Sequence, residues 1–251
     1  ISCTKKDEQI PDFEKSYRLN ENYDKIGKPG LIYVCHITND FVSVIDPEKN
    51  ELIGKIPAGK GTSWMCFSPD KKIGYITNYN SFNLTVFETK SNKTLATVTA
   101  GENPVWILPV QNGKYVLYSH QSHEGIWVLN AGENTNVKKL DDCTGPLYFI
   151  EKENKIYQPQ IFTPYLKIID PDEIEVVKQI ETGGRPMEMA FTNNKEYAYM
   201  VNFDSSEVAK FDTKSDVIVK KIKNIQNPRG IASTSDNKIV LITNVVDNTV
   251  T

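Results

Sequence analysis

Trp64, Trp106 and Tyr148 stand 42 residues apart, and Glu188 and Gly230 continue the series after steps of 40 and 42. Wide amphipathic rings at a regular spacing make a floor for a flat or sugar-like ligand at low entropic cost. Glu188 adds a carboxylate able to hold or move a proton. Arg185 and Arg229 flank Pro186 and Pro228 in the same motif and would steady an anion. A second series, His36, Asn78, His120, Gln160, Asn202 and Asn244, recurs at steps of 42, 42, 40, 42 and 42. Asparagine at a strand end closes turns and links neighbouring segments, so Asn78, Asn202 and Asn244 read as structural. His36 and His120 join Trp64, Trp106, Tyr148, Glu188, Arg185 and Arg229 as candidate ligand-binding residues. If the chain is an enzyme, Glu188, His120 and His36 are its candidate acid–base residues.

Other chemistries find less support. The histidines are His36, His120 and His123. His36 and His120 fall two repeats apart, and sheets pack about 10 Å face to face, too far for joint ligation through metal–nitrogen bonds of about 2 Å. His120 and His123 share a hairpin loop and would chelate only weakly, so no metal site is expected. There is no G-x-S-x-G motif, and Ser119 and His120 point to opposite faces of one strand. No glycine-rich phosphate loop opens a helix. The cysteines Cys3, Cys35, Cys66 and Cys143 match no zinc spacing. Cys35 and Cys66 lie in strand-like runs and read as small buried apolar residues, so neither a disulfide framework nor a cofactor is expected.

Charged residues make up 24% of the chain and aromatic residues 10%, a globular composition. A net charge of −3 draws no polyphosphate. The most basic stretch, Val219–Lys223, lies in an expected strand and reads as a solvated edge face, so no nucleic-acid partner is expected. No apolar run approaches the ~18 residues of a membrane span. The opening Ile1-Ser2-Cys3 carries no initiator methionine and resembles the end of a bacterial lipoprotein signal. Cys3 is then the expected lipidation site, with the polar residues after it as a tether.

The spacing of the candidate residues follows from a repeat. IYVCHITNDFVSVID (32–46) matches GYITNYNSFNLTVFE (74–88), and copies follow at 116–130, 156–170, 198–212 and 240–251. Thr62, Pro104, Pro146, Pro186 and Pro228 keep the same register. Each unit, such as residues 63–99, holds four short alternating runs separated by Asn, Asp, Gly and Pro, which are strands joined by tight turns. Helical periodicity is absent after residue 30. Four antiparallel strands per ~42 residues predict an all-β fold, a β-propeller of four-stranded antiparallel blades.

Tyr75–Asn78, Leu241–Asn244 and Tyr33–His36, the Val42–Asp46 and Tyr165–Asp170 segments, and the G-x-x-P of Gly101–Pro104 and Gly183–Pro186 together resemble the YVTN repeat over residues 30–251. His36 and His120 depart from the asparagine usual in that family. The resemblance implies a seven-bladed propeller, exported or at the cell surface, and is similar in kind to the haem-d1 domain of nitrite reductase, the methylamine dehydrogenase heavy subunit and the lactonases. Seven blades at this period need ~290 residues, so the chain is expected to be an incomplete fragment. A six-bladed ring closed by residues 1–30 is the alternative. Residues 1–30 are expected to be a tether with an incomplete first blade, and residues 31–251 the repeats, the last blade truncated.

In a propeller the second-to-third strand loops and the blade-to-blade connections share one face, which places the candidate residues around one channel mouth. The expected function is that of an extracytoplasmic, periplasmic or cell-surface binding protein for a small molecule or a surface or transport protein partner. Membrane contact is expected only through a lipid anchor at Cys3. The resemblance extends to surface lipoproteins that capture nutrients, including cobalamin-binding propellers. A lactonase- or lyase-type propeller enzyme is the alternative.

Overall fold

The computed structural model describes residues 30–122, 125–141, 143–150 and 153–251; Cys3, the expected tether and His123 lie outside them. The first sheet holds β1 (Ile32–Cys35), β2 (Phe41–Asp46) and β3 (Glu51–Pro57). The second holds β4 (Thr62–Phe67), β5 (Ile73–Asn78), β6 (Asn83–Glu88) and β7 (Thr94–Thr99). The third holds β8 (Pro104–Val110), β9 (Tyr115–His120), β10 (Ile126–Asn130) and β11 (Thr135–Leu140). The fourth holds β12 (Tyr148–Ile150), β13 (Lys155–Pro159), β14 (Tyr165–Asp170) and β15 (Glu175–Glu181). The fifth holds β16 (Pro186–Phe191), β17 (Tyr197–Asn202), β18 (Glu207–Asp212) and β19 (Val217–Ile222). The sixth holds β20 (Pro228–Ser233), β21 (Val240–Asn244) and β22 (Thr249–Val250). Each sheet is an antiparallel meander in chain order, four of them four-stranded as the alternating runs predict. The chain is a β-propeller of such blades.

Alternation makes each sheet apolar on both faces, and the cores lie between sheets. In β5 and β6, Tyr75, Leu84 and Val86 point forward and meet Ile107, Val116 and Tyr118 of the third sheet. Ile76 and Phe87 of the same two strands point back to Val42, Val44 and Ile56 of the first sheet. The same division recurs between the third and fourth sheets, the fourth and fifth, and the fifth and sixth. Fully burying one such side chain contributes about 1.5–3 kcal/mol. Gly74 admits Phe87, because a Cβ there would fall 2.2 Å from the ring.

The turns leading to the outermost strands follow from their asparagines and aspartates. Asp46, Asn130, Asp170 and Asp212 accept hydrogen bonds from main-chain N–H groups two and three residues on. Four residues after these positions, and after Glu88 at the equivalent place, the chain turns left-handed, at Asn50, Asn92, Asn134, Ile174 and Asp216, where asparagine and aspartate are tolerated best. The register slips by one residue where these outer strands pair, at Val44/Ile45, Val86/Phe87, Val128/Leu129, Ile168/Ile169 and Lys210/Phe211.

Asp216 also locks two blades. Lys155 Nζ approaches its carboxylate oxygens at 2.8 and 2.9 Å, and Tyr157 Oη donates to Oδ1 at 2.9 Å. Burial of the Tyr157 ring, reinforced by its bond to Asp216, pushes the phenol pKa upward, so Tyr157 remains a donor. Asp216→Ala is expected to destabilise the fold by about 2–3 kcal/mol, because it strands a mostly buried ammonium. Equilibrium urea unfolding checks this; an unchanged midpoint would remove the lock.

Candidate functional site

The inner strands β4, β8, β16 and β20 are bulged and carry four members of the aromatic series, whereas β12, which carries Tyr148, pairs with β13 without a slip. Pairing slips between Thr62 and Trp64, between Pro104 and Ile107, between Pro186 and Met189, and between Pro228 and Ile231. Trp64, Trp106, Glu188 and Gly230 therefore sit at or within the interrupted ladder, where a bulge re-aims the side chain. The threonine of the I-T-N segments holds this geometry. Trp64 N donates to Thr77 Oγ1 at 3.0 Å, and Gly230 N donates to Thr243 Oγ1 at 2.9 Å. Thr77 Oγ1 in turn donates to Val105 O at 2.6 Å, and Ser63 Oγ to Pro104 O at 3.0 Å. These bonds fasten one bulge to the next inner strand. Inner strands lie side by side, β4 with β8 and β16 with β20, so equivalent positions form a series around the inner edge.

Members of the series differ in what they offer. Trp64 is 49% exposed and Trp106 is half-buried. Among the described residues neither ring packs on another ring. Tyr148 leans into the interface instead: its ring lies 5.8 Å from Phe191, and its hydroxyl accepts from Met189 N at 3.4 Å. Burial, with the charge of Glu188 adding to it, pushes the Tyr148 phenol up to about 12. Glu188 is exposed, yet desolvation raises its carboxyl above the usual range, against the lowering effects of the Ile231 N–H and Arg229. Its Oε2 would lie 3.7 Å from a Cβ on Gly230, so the carboxylate rests over the bare backbone of the next blade. Arg229, also exposed, is its cationic neighbour.

The histidines are held by the fold. His120 is completely buried, with Nδ1 2.8 Å from Gly125 O and Nε2 against Ala100 O. The expectation that it meets a ligand is corrected: both ring nitrogens face main-chain carbonyls, and Tyr118 and Trp127 close around the ring. His36 is half-buried, bonded through Nε2 to Ser43 Oγ at 2.8 Å and set 5.0 Å from the Phe41 ring. The asparagines act within their hairpins: Asn78 Nδ2 donates to Asn83 Oδ1 and Thr85 Oγ1, and Asn244 Nδ2 to Thr249 Oγ1 and Thr251 Oγ1. Asn202 Nδ2 reaches Thr182 O in the incoming connection. Among the described residues no three His, Cys, Asp or Glu side chains converge as a metal site would need; Cys35 and Cys66 are free thiols, and Cys143 Sγ accepts from Lys167 Nζ at 3.7 Å.

Arg185 is not brought to the inner-strand series. It lines a separate cleft of about 370 Å³ with Phe162, Thr163, Pro164, Glu181, Gly183, Gly184 and Asp204, none of them in the aromatic series. Its Nη2 donates to Asp204 Oδ1 at 2.9 Å and its guanidinium lies 5.1 Å from the Phe203 ring. The expected set omits the other residues of this cleft, for which the adjacent Gly183-Gly184 pair was the available sign.

No family model matches the chain, and no curated protein matches it. Solved structures do. A hydrazine synthase chain from Kuenenia stuttgartiensis aligns with a TM-score of 0.58 at 14% identity, over 90% of this chain and 92% of that one. Dihydro-heme d1 dehydrogenase NirN, solved in complex with DHE, aligns with a TM-score of 0.70 at 16% identity over 86% of this chain and 49% of its own. A functionally unknown protein from Desulfotomaculum acetoxidans DSM 771 aligns with a TM-score of 0.69 at 13% identity, over 88% and 78%. These likenesses agree on the propeller fold.

Two outcomes follow. Thr77→Val keeps the shape but leaves the Trp64 N–H without its acceptor, so stability should fall by about 1–3 kcal/mol. Trp64 emission should shift with it; unchanged unfolding and emission would show that the hydroxyl does not hold the bulge. The Glu188 carboxyl should titrate above an ordinary glutamate by NMR, and Arg229→Ala should move it higher still, because the opposing cation is gone. A pKa unmoved by Arg229→Ala would separate the two residues.

Proposed function

We propose that this β-propeller is a YVTN-type binding protein acting outside the cytoplasm, anchored through Cys3, that holds a small ligand or a protein partner on its channel-mouth face. The observation that carries the reading is the pair of free rings, Trp64 and Trp106, on adjacent bulged inner strands. Such rings supply contact area with few rotamers to freeze. Glu188 and Arg229 continue the series with one charge of each sign, which suits a ligand with a flat body and polar edges. Tyr148, turned into the blade interface against Phe191, backs the series rather than facing it, and His36 borders the first blade's loop.

Catalysis has a narrower basis. His120 is withdrawn from the surface and His36 is bonded to Ser43, which leaves Glu188 as the acid–base candidate. Its place beside Arg229 and over Gly230, with a carboxyl raised above the usual range by desolvation, is the observation that favours a lactonase- or lyase-type activity, since a raised pKa suits a carboxyl to general acid–base work.

Trp64 and Trp106 report on the site directly, because the third tryptophan, Trp127, packs against Tyr118 and His120. A fluorescence titration with a panel of flat heteroaromatic and sugar ligands is expected to find a binder whose affinity is lost in the Trp64→Ala/Trp106→Ala double variant, with no turnover of lactones or cyclic esters. Undiminished affinity in the double variant sinks the binding site; lactone turnover that Glu188→Gln removes selects the enzyme.

A further inference from the structure

The repeat provides an internal standard for the Arg185 cleft. Ala58-Gly59-Lys60-Gly61-Thr62 and Thr182-Gly183-Gly184-Arg185-Pro186 occupy the same place in units three repeats apart. In the first, Ala58 N donates to Asp40 O at 2.8 Å, and Gly61 N and Thr62 N donate to Asn39 O at 2.8 and 3.4 Å. That seals the junction between two blades. In the second, Thr182 N donates to Pro164 O at 2.9 Å, matching Ala58. The seal then stops, as it does between Ala100, whose N donates to Phe82 O at 2.9 Å, and Pro104, because a proline has no N–H to match Thr62. Among the described residues the N–H groups of Gly183, Gly184 and Arg185 find no acceptor. The junction opens instead into the cleft of about 370 Å³.

The wall of that cleft is rich in donors. Two of its carbonyls are engaged within the fold: Gly184 O accepts from Thr182 Oγ1 at 2.5 Å and Arg185 O from Phe203 N at 2.9 Å. Three successive N–H groups with a left-handed Gly183, φ +81°, are the backbone pattern that receives a carboxylate. The Arg185 guanidinium stands beside them, oriented by Asp204 and Phe203, and its Nε–H has no acceptor in the fold. Glycine is required at 184, where a Cβ would lie 2.4 Å from Ser205 Oγ.

A bare anion does not suit the whole cleft. Glu181 and Asp204 also line it; Asp204 is paired with Arg185 and the nearby Lys221 ammonium with Glu207 at 3.4 Å, which leaves Glu181 as a carboxylate with no ion pair among the described residues. A molecule carrying both charges satisfies both parts: its carboxylate takes the donors, and its ammonium is attracted to Glu181. Phe162, 44% exposed, and Pro164 supply an apolar side. We propose that this cleft, separate from the inner-strand series, is a binding site for a zwitterion of the α-amino acid class with an apolar side chain.

L-phenylalanine is the probe, with hydrocinnamate as the carboxylate-only analogue and phenethylamine as the amine-only analogue. Saturation-transfer NMR and calorimetry on the whole chain are expected to show L-phenylalanine binding, with each analogue weaker by about ten-fold. Arg185→Gln should weaken L-phenylalanine by about ten-fold through the carboxylate end, and Glu181→Gln by a smaller factor through the ammonium end. Glu181 is exposed at a strand terminus, so its variant reports on the site even if Arg185→Gln disturbs the loop. No saturation transfer at about 10 mM probe, equal binding of all three probes, or affinity unchanged in both variants overturns the proposal.

Discussion

Every blade of this protein is a sheet with two apolar faces, and no such sheet is stable with either face in water. Tyr75, Leu84 and Val86 cannot be buried by the same neighbour that buries Ile76 and Phe87. Each sheet must therefore be sandwiched, and the same requirement passes to the next. The five apolar clusters are the physical form of that requirement, one between each successive pair of the six described sheets. Because strands twist, sheets stacked this way fan out at their outer edges and crowd at their inner ones. The placement of the candidate residues depends on this crowding.

Crowding at the inner edge explains why the first strand is bulged in four of the blades and why hydroxyl side chains attend the bulge. A register slip frees main-chain groups that must still be hydrogen-bonded. Thr77 and Thr243 take the freed N–H groups, and Thr77 and Ser63 carry the bonding across to the next blade. One set of bonds thus joins blades and exposes Trp64. The polar residues at the second-strand ends are spent differently. Asn78 and Asn244 close their own loops, Asn202 reaches back to Thr182 O of the incoming connection, and the His120 ring is wedged between carbonyls of its loop and of the incoming connection.

Variation between otherwise equivalent junctions is where individuality enters. Proline stands at Pro104, Pro146, Pro186 and Pro228, and Thr62 alone adds a donor that seals the loop between the first two blades; between the fourth and fifth the junction opens into a cleft. Arg185 belongs to that open junction. Its partner Asp204 has only the neutral Asn80 as counterpart in the second blade, while the Phe203 ring is matched by Tyr79.

Period, strand count per unit and the two-faced character of each blade were all determined by the sequence alone, since alternation and turn residues are local signals. So was the equivalence of Trp64, Trp106, Tyr148, Glu188 and Gly230, which needs only a constant repeat length. What the side chains at those positions meet was decided by the tertiary structure. His36 and His120 hold the same place in the repeat, yet His36 is half-buried beside a serine and His120 is sealed between Ala100 O and Gly125 O. Arg185 stands one residue from the inner-strand motif, yet it faces a cleft between loops of two blades. The reason is physical: spacing along a chain sets which positions correspond, whereas burial, hydrogen-bond partners and open space depend on atoms supplied by the neighbouring blade.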